Sequence, residues 1–271
     1  MSKTLLAILA HPDDEAFGLG GTLAHYAAEG VNVHLICATK GEAGKITSPD
    51  IPQDADRAQL REGELKNACI ALGIRPPIFL GYEDSGRYER TQTDNPKALL
   101  NVDEMELESS LHPHIARLTP DIILTFDPHG IYGHIDHIKM HRAATAAFWS
   151  AGKVTATPPK RLFYSAIATE RMKTMQANRP DSPLSNLDAE VYGVQEESFA
   201  YIRDVSAYKD QKKAAIEAHA SQTGPTSSFS GMNDEQEKQV WDEMFARETL
   251  TLGGLRGSFP AMPVDDLFAG L

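Results

Sequence analysis

The stretch "LLAILAHPDDEAFGLGGTLAHY" (residues 5–26) gives the first indication of how this chain folds. Its first six residues are apolar, which predicts a strand buried on both faces, as in a parallel sheet covered by helices. Polar residues follow at once, at His11, Asp13, Asp14 and Glu15. Neighbouring carboxylates repel one another and are costly to remove from water. A bound cation at the end of the strand is the first candidate to stabilise them.

The same pattern of strands and helices continues along the chain. Apolar runs predict strands at 5–10, 31–38, 77–80, 121–126 and 161–167. Periodic patterns predict helices at 16–29, 57–73, 102–118 and 135–151. Alternation of this kind predicts an α/β fold, a three-layer sandwich around a mostly parallel, Rossmann-like sheet. Ligands of such sheets bind beyond the carboxyl ends of the strands.

The last hundred residues contain fewer strand signals. We predict a surface loop, two helices and a tail punctuated by glycine and proline, at 177–195, 206–222, 233–248 and 252–271 respectively. This region is too poor in predicted strands to form a separate domain. We therefore expect one domain over 1–271, with a core at 1–170 and a C-terminal helical extension at 171–271.

Composition excludes some classes of partner. The formal net charge is −12 and the sequence pI is about 5.3, which disfavours nucleic acid and anionic membrane surfaces as main partners. No run approaches the ~18 apolar residues of a membrane span, and the N-terminus does not have the pattern of a signal peptide. We expect a cytoplasmic protein in which Cys37 and Cys69 are buried thiols.

A second polar cluster, "FDPHGIYGHIDHIKMH" (126–141), follows the predicted strand 121–126. We expect it to emerge at the same sheet edge as the first cluster. Two imidazoles and a carboxylate around an open position are typical of a catalytic zinc or iron site. Spacing alone does not decide which aspartate binds the metal, or whether His137 pairs with His134 or His141. The segment "HPDD" also suits a turn followed by a helix N-terminus.

The two clusters together resemble a known family. "AHPDDE" (10–15) and "GHIDH" (133–137) are similar to the hallmark motifs of the LmbE-like, or PIG-L, zinc-dependent N-deacetylases. This family includes N-acetylglucosamine deacetylases of the mycothiol and bacillithiol pathways. Further similar blocks, in the family's order, are "TKGEAG" (39–44), "LREGELKNACIALG" (60–73) and "DSG" (84–86), and "AHASQTGP" (218–225) resembles the mycothiol branch.

The resemblance implies a role for each matching residue at the reacting centre. His11, Asp14 and His137 would bind Zn²⁺, or Fe²⁺ in the cell. Asp13 would be the general base that takes a proton from the metal-bound water, whose pKa zinc lowers toward ~7.

Three further residues would act on the amide. The Tyr132 hydroxyl would stabilise the oxyanion. His134 would be the protonated acid that helps to expel the amine, with Asp136 holding its ring.

Substrate contacts are less well defined by the sequence. Arg61 matches a family arginine that binds the sugar, and Asp84 is a weaker candidate for a sugar contact. Arg61 could equally be an exposed helix arginine. His219 either approaches the site or packs between helices. Lys45 stands where the mycothiol-precursor deacetylases carry an acidic residue, which puts an inositol-linked substrate in doubt.

We therefore expect a metal-dependent hydrolase that removes acetyl from an N-acetylglucosamine-type amino sugar, its small-molecule partner. The alternatives are an amidase acting on a larger amide such as a thiol-sugar conjugate, a metal-dependent phosphoesterase, and a sugar-binding module without activity. A phosphoesterase would require about two metal ions per chain. The sequence is compatible with a homo-oligomer, and it does not identify the aglycone or the native metal.

Overall fold

The computed structural model describes residues 2–178, 182–223 and 233–271. Over these residues the chain forms a seven-stranded sheet with the order β3-β2-β1-β4-β5-β7-β6. The strands are β1 Thr4–Leu9, β2 Asn32–Cys37, β3 Ile78–Phe79, β4 Ile122–Phe126, β5 Arg161–Ser165, β6 Tyr201–Asp204 and β7 Arg247–Leu255. The first five are parallel, as predicted, whereas β7 is antiparallel to β5 and to β6.

Helices cover the sheet. They are α1 Asp14–Ala28, α2 Arg57–Leu72, α3 Glu104–Leu118, α4 Gly130–Gly133, α5 Ile135–Ser150, α6 Thr169–Asn178, α7 Ala189–Tyr192, α8 Lys209–Ala218 and α9 Asp234–Met244. Local chemistry sets their ends: the Asp56 and Asp103 side chains cap α2 and α3, and Gly73 ends α2 with a φ of 71°. None of the helices described is long and apolar enough to cross a membrane.

Strand order creates the position of the site. The connection from β1 through α1 leads to β2 on one side, while that from β4 through α5 leads to β5 on the other. Right-handed crossovers in opposite directions place α1 and α5 on opposite faces of the sheet. The two connections diverge between the neighbouring strands β1 and β4, which is where ligands bind in such sheets. Both strands are buried along their whole length, as their apolar sequences predict.

The C-terminal region corrects the sequence analysis. The extension is not purely helical, because it adds β6 and β7 to the sheet. The predicted helix 233–248 stops at Met244, and the predicted tail begins inside β7. The sequence did not predict β7 because Gly253 and Gly254 lie inside it, and glycine is unfavourable in strands. A Cβ on Gly253 would lie 2.3 Å from the Tyr164 ring, and one on Gly254 would lie 2.6 Å from the Phe148 ring.

The structure defines two other segments more closely than the sequence does. The predicted loop 177–195 contains the short helix α7, and residues 179–181 lie outside the described part of the chain. The tail packs on the chain's own core, where Leu267 and Phe268 are buried and Arg161 donates to the Leu267 carbonyl oxygen at 2.5 Å. Cys37 and Cys69 are buried free thiols, as predicted.

Candidate active site

The two polar clusters meet at the carboxyl ends of β1 and β4. His11 Nδ1 lies 3.2 Å from His137 Nε2, although 126 residues separate them in the sequence. Both imidazoles are buried. Strand order therefore brings the two loops together, as the sequence predicts.

The first loop holds its side chains through a strained turn. Asp13 has a φ of 114°, a left-handed conformation that is costly for a residue with a Cβ. Its N–H donates to Glu15 Oε2 at 3.0 Å, and the His11 N–H donates to Asp14 Oδ2 at 2.7 Å. Helix α1 begins at Asp14. The segment "HPDD" is thus a turn before a helix and also a cluster of site residues, so the two interpretations describe the same structure.

The second loop is strained in the same way. Ile131 has a φ of 64°, which is unusual for a β-branched residue. Gly130 has a φ of 62°, and a Cβ there would lie 2.8 Å from the Cβ of His137. The α5 helix begins after His134, whose Nδ1 accepts the Asp136 N–H at 3.2 Å. These constraints direct His134 and His137 toward the first loop.

Hydrogen bonds assign the protons of the two central imidazoles. His137 Nδ1 lies 3.1 Å from the Gly130 carbonyl oxygen, which can only accept, so Nδ1 carries the proton. His11 Nε2 lies 3.0 Å from Asp136 Oδ2 and 3.4 Å from Asp84 Oδ1, so Nε2 carries the proton. In their neutral forms, the facing atoms His11 Nδ1 and His137 Nε2 are both lone pairs.

A carboxylate completes this arrangement. Asp14 Oδ1 lies 3.2 Å from His137 Nε2, and Asp14 Oδ2 lies 3.6 Å from His11 Nδ1. When both imidazoles are neutral, three electron-pair donors face one another without an intervening proton, and this arrangement fits a cation. Two imidazoles with one carboxylate suit zinc or ferrous iron. Each imidazole also donates its other N–H to an oxygen, as metal-bound histidines usually do.

Neighbouring groups offer other ligand combinations. Within the described residues, ligand atoms of His11, His134 and His137 lie within 4.8 Å of one another, and so do those of His11, Asp84 and Asp136. His141 belongs to neither group, and its Nδ1 donates to the Phe126 carbonyl oxygen at 2.8 Å. The alternative pairing of His137 with His141 therefore has no support among the described residues.

The charges of the metal-free site favour a cation. Burial lowers the pKa of His11, but the Asp84 charge and hydrogen bonds to Asp136 and Asp14 outweigh burial and raise it well above 6.5. Burial raises the pKa of Asp14, yet His137 and His11 hold it well below its usual range. The site therefore keeps Asp14 ionised and attracts positive charge to His11.

Asp13 has the environment of a general base. Burial raises its pKa to about 6; Arg61 opposes this rise and Asp14 adds to it. A carboxylate with this pKa is ionised at neutral pH and is still basic enough to accept a proton. Its side chain is 23% exposed, more than that of Asp14 at 9%, so it faces the space where a substrate would bind.

The two predicted sugar contacts support the site from behind. Arg61 is 4% exposed, and its guanidinium donates to Asp13 Oδ2 at 3.0 Å and to the Gly41 carbonyl oxygen at 3.1 Å. It is not the exposed helix arginine of the alternative interpretation. Asp84 is 5% exposed and accepts from the Gly86 N–H at 2.8 Å beside His11. A direct sugar contact by either residue remains a prediction.

The surroundings of His134 and Asp136 differ from those expected. The Asp136 carboxylate bonds to His11 Nε2 and to the Ser85 N–H, and no hydrogen bond among the described residues joins it to the His134 ring. Burial lowers the pKa of His134 to about 3, helped by the charges of His11 and His137. His134 is therefore neutral here. Because its Nδ1 accepts the Asp136 N–H, its proton lies on Nε2.

Tyr132 lies beside these imidazoles. Its ring centroid is 5.0 Å from that of His137 and 6.1 Å from that of His134. Burial, followed by the Asp14 charge, raises the pKa of its hydroxyl above the usual 10. Tyr132 therefore keeps its proton and can donate it in a hydrogen bond.

His219 supports the first loop from the C-terminal region, a role that the sequence left open. It is buried, and its Nε2 lies 2.6 Å from Glu15 Oε1, while Glu15 Oε2 accepts the Asp13 N–H. The next residues hold a second helix, since Ser221 donates through both N–H and Oγ to Glu64 at 2.7 Å. The sequence signals for this contact were the "AHASQ" motif, which contains His219, and Glu15, the last residue of "HPDDE". Residues 224–225, at the end of the block "AHASQTGP" (218–225), lie outside the described part of the chain.

Comparison with known proteins identifies the family. The model named "PIG-L: GlcNAc-PI de-N-acetylase" matches residues 6–148. A curated relative from Thermomonospora curvata, named 1D-myo-inositol 2-acetamido-2-deoxy-alpha-D-glucopyranoside deacetylase, is 34% identical over an alignment of 299 positions that covers 99% of this chain and 97% of the relative. The chain belongs to the PIG-L family. This confirms the resemblance carried by the two motifs.

Solved structures of related fold agree. The N,N'-diacetylchitobiose deacetylase of Pyrococcus horikoshii superimposes with a TM-score of 0.60 at 19% identity, over 93% of this chain and 84% of that chain. A zinc-inhibited form of the teicoplanin deacetylase Orf2 does so with a TM-score of 0.58 at 20% identity, over 92% and 97%. At these identities the likeness shows the fold alone.

Proposed function

We propose that this PIG-L family member hydrolyses the N-acetyl group of an N-acetylglucosamine-type amino sugar, releasing acetate and a free amine. The observation that carries the proposal is the convergence of His11 Nδ1, His137 Nε2 and the Asp14 carboxylate beside Asp13. This arrangement offers three ligands and a base around one open position. The name of the relative from Thermomonospora curvata supports an amino-sugar amide as the substrate.

We assign His11, Asp14 and His137 as ligands of Zn²⁺, with Fe²⁺ as the alternative metal. When bound, such an ion acidifies its water and polarises a carbonyl oxygen. Asp136 and Asp84 hold the His11 ring from behind, and the Gly130 carbonyl holds the His137 ring. These contacts fix the orientation of both imidazoles before the metal arrives.

The remaining residues move protons and stabilise charge. Asp13, held by Arg61, takes a proton from the attacking water. As negative charge builds on the amide oxygen, the Tyr132 hydroxyl and His134 Nε2–H donate to it. The C–N bond then breaks, and the nitrogen receives the proton that Asp13 carried. Because His134 is neutral in the free site, we assign it as a hydrogen-bond donor and Asp13 as the proton carrier.

The compartment and the aglycone are further parts of the proposal. The buried free thiols of Cys37 and Cys69 suit the reducing cytoplasm. Lys45 lines a polar groove that contains both basic and acidic side chains, those of Arg57, Arg90, Glu42 and Glu89, so we infer that a polar aglycone lies beside it.

The test is release of acetate and primary amine by the zinc- and iron-loaded protein across a panel. The panel contains N-acetylglucosamine, its inositol and malate glycosides, chitobiose and a bulky thiol-sugar amide. We expect stoichiometric acetate and amine from at least one N-acetyl sugar, released at least about 100-fold more slowly by the Asp13→Asn variant. Amine without acetate, from the bulky amide alone, would identify an amidase instead. Metal binding without turnover of any member would contradict the proposed substrate class.

A further inference from the structure

An apolar cavity of about 340 Å³ opens directly onto the proposed reacting centre. It touches four groups of that centre: Asp13, Asp14, Tyr132 and His137. Most of its remaining wall is apolar, formed by Phe17, Phe126, Ile131, Ile167, Met175 and Leu184. A cavity of this size lies within the range of small-molecule sites, roughly 300–1,000 Å³. The single methyl group of an acetamide would fill a small part of it.

The charged residues at the border of the cavity are already engaged. Glu248 accepts the N–H groups of Gly21 and Thr22 at 2.9 and 2.7 Å and the Lys212 ammonium at 2.5 Å. Arg171 donates to the Arg247 carbonyl oxygen at 2.5 Å. The Ser182 hydroxyl, also in the lining, has no hydrogen-bond partner among the described residues. A sugar would need several such partners for its hydroxyl groups, so the cavity favours an apolar occupant.

A separate polar groove of about 480 Å³ shares no lining residue with the apolar cavity. It is lined by Glu42, Lys45, Arg57, Glu89, Arg90 and Gln92. Glu42 Oε2 accepts the Asp84 N–H at 3.0 Å, and a Cβ on the groove residue Gly44 would lie 2.7 Å from Arg61 Nη1. The groove thus adjoins Arg61 and Asp84, whereas neither of these residues lines the apolar cavity.

The two spaces suggest an orientation for the substrate. In an N-acylated amino sugar, the sugar lies on the nitrogen side of the amide and the acyl chain lies on the carbon side. The apolar wall of the cavity suits an acyl chain better than a sugar, so the acyl chain points into the cavity and the sugar lies outside it, on the side of the polar groups. Ile131 supports this placement, because its strained backbone presents an apolar side chain to the cavity next to Tyr132.

We propose that the cavity is an acyl pocket, and that the enzyme accepts amino sugars carrying apolar N-acyl chains longer than acetyl. This inference rests on the proposed amide hydrolysis and keeps the same chemistry. The water oxygen bonds to the acyl carbon, the C–N bond breaks, and the nitrogen receives the proton held by Asp13. The products are the longer-chain carboxylate and the free amine.

The first test is a chain-length series of N-acylglucosamines, from acetyl through propanoyl and butanoyl to hexanoyl and octanoyl, with zinc-loaded protein. Because each buried methylene contributes about 0.8 kcal/mol, kcat/KM should rise about fourfold per methylene until the cavity is full. A steady fall from acetyl to hexanoyl would overturn the acyl pocket while leaving the deacetylase intact. Inactivity toward every member, acetyl included, would instead count against the proposed function.

A matched pair of variants tests the location. Met175→Trp places a larger side chain in the cavity, whereas Met105→Trp makes the same change at a position that is 76% exposed. We expect Met175→Trp to lose at least tenfold in kcat/KM for the hexanoyl substrate and to keep acetyl hydrolysis within about twofold. Met105→Trp should change neither. Retained acetyl hydrolysis also shows that the variant is folded, and Ile167→Trp repeats the test if it is not.

An alkyl glycoside tests whether the cavity binds the aglycone instead of the acyl chain. Octyl N-acetylglucosaminide carries its chain on the aglycone. It should gain no more than about twofold over N-acetylglucosamine in either variant or the wild type. A large gain that Met175→Trp removes would assign the cavity to the aglycone and overturn the proposal.

Discussion

Two clusters of buried charge lie against helix α1, and they differ in how their charges are matched. Against the middle of the helix, Glu248 accepts three hydrogen bonds, from Gly21, Thr22 and Lys212, and Lys212 also donates to the Phe245 carbonyl oxygen at 3.2 Å. Each charge there has its counterpart within the chain. This cluster is complete without a ligand.

The cluster at the start of α1 is not matched in this way. Two imidazoles, whose facing atoms are lone pairs when both rings are neutral, are surrounded by the carboxylates of Asp13, Asp14, Asp84 and Asp136. Among the described residues, Arg61 pairs with one of these four, Asp13. Buried charge is retained at a cost unless something compensates it. An excess of donors for a cation therefore marks a binding site, whereas matched charges mark a structural cluster.

The largest effect that this contrast predicts follows from removing a ligand. Asp14→Ala should abolish stoichiometric zinc binding and lower kcat/KM at least about 10³-fold, because a bound metal contributes several kcal/mol to the transition state. Metal content by mass spectrometry of the purified protein checks this. Wild-type zinc content in the inactive variant would show that Asp14 is not a ligand. A wild-type stoichiometry near two would favour the phosphoesterase alternative.

Changing the base should separate metal binding from turnover. Asp13→Asn keeps the size of the side chain but cannot accept a proton, so we expect a loss of about 10²–10³-fold in kcat with zinc content unchanged. The same preparation serves for both the activity and the metal measurement. Equal loss of metal and activity would remove the distinction between Asp13 and Asp14.

Removing a charge from the Glu248–Lys212 cluster should lower the stability of the fold and leave the metal content unchanged. Lys212→Met leaves Glu248 buried without its ammonium partner, which should lower the free energy of unfolding by about 3–5 kcal/mol. Lys213→Met, the same change at the neighbouring and more exposed position, should cost less than about 1 kcal/mol. Urea unfolding of the two variants gives the comparison. Zinc loss in folded Lys212→Met would show that the clusters are coupled.

The sequence predicts where the cluster at the start of α1 lies, but it does not predict which of its side chains contact one another. The apolar runs of β1 and β4 place the two motifs at one edge, and their ends bring His11 within 3.2 Å of His137. Which imidazole Asp136 contacts depends on how α5 begins, because the backbone N–H of Asp136 occupies His134 Nδ1 and its carboxylate then reaches His11. Motif spacing contains no information on that choice.

Long-range packing explains the other differences. Arg61 is buried because Gly41 leaves room for its guanidinium, where a Cβ would lie 1.9 Å away. A periodic helix pattern cannot indicate such a partner twenty residues upstream. β7 has two glycines that accommodate aromatic rings from β5 and α5, and this replaces the β-branched pattern by which a strand is recognised.

The smallest predicted effect concerns His219, which forms a matched charge pair with Glu15 and also acts on Asp13 of the site. Burial lowers the pKa of His219, but the Glu15 charge outweighs burial and raises it. The positive charge of His219 in turn lowers the pKa of Asp13, so the Glu15–His219 pair adjusts the pKa of the proposed base. Protonated Asp13 cannot accept a proton, so kcat/KM should fall as the pH decreases through the pKa of Asp13. This pKa is about 6 in the metal-free site, and a bound cation lowers it further. Removing the His219 charge in His219→Gln should move this acid limb to higher pH, with a loss of less than about tenfold at pH 6 and little loss at pH 8.

The pH profile distinguishes tuning from simple support of the fold. His112→Gln changes a histidine that contacts Ser150 and Glu108 away from the site, and it should leave the acid limb in place. A uniform loss of activity at every pH in His219→Gln would mean that the imidazole only holds Glu15, and through it the Asp13 N–H, in position. A shifted limb with unchanged activity at high pH would show that a buried, matched pair can set the proton affinity of a neighbouring site without touching its ligands.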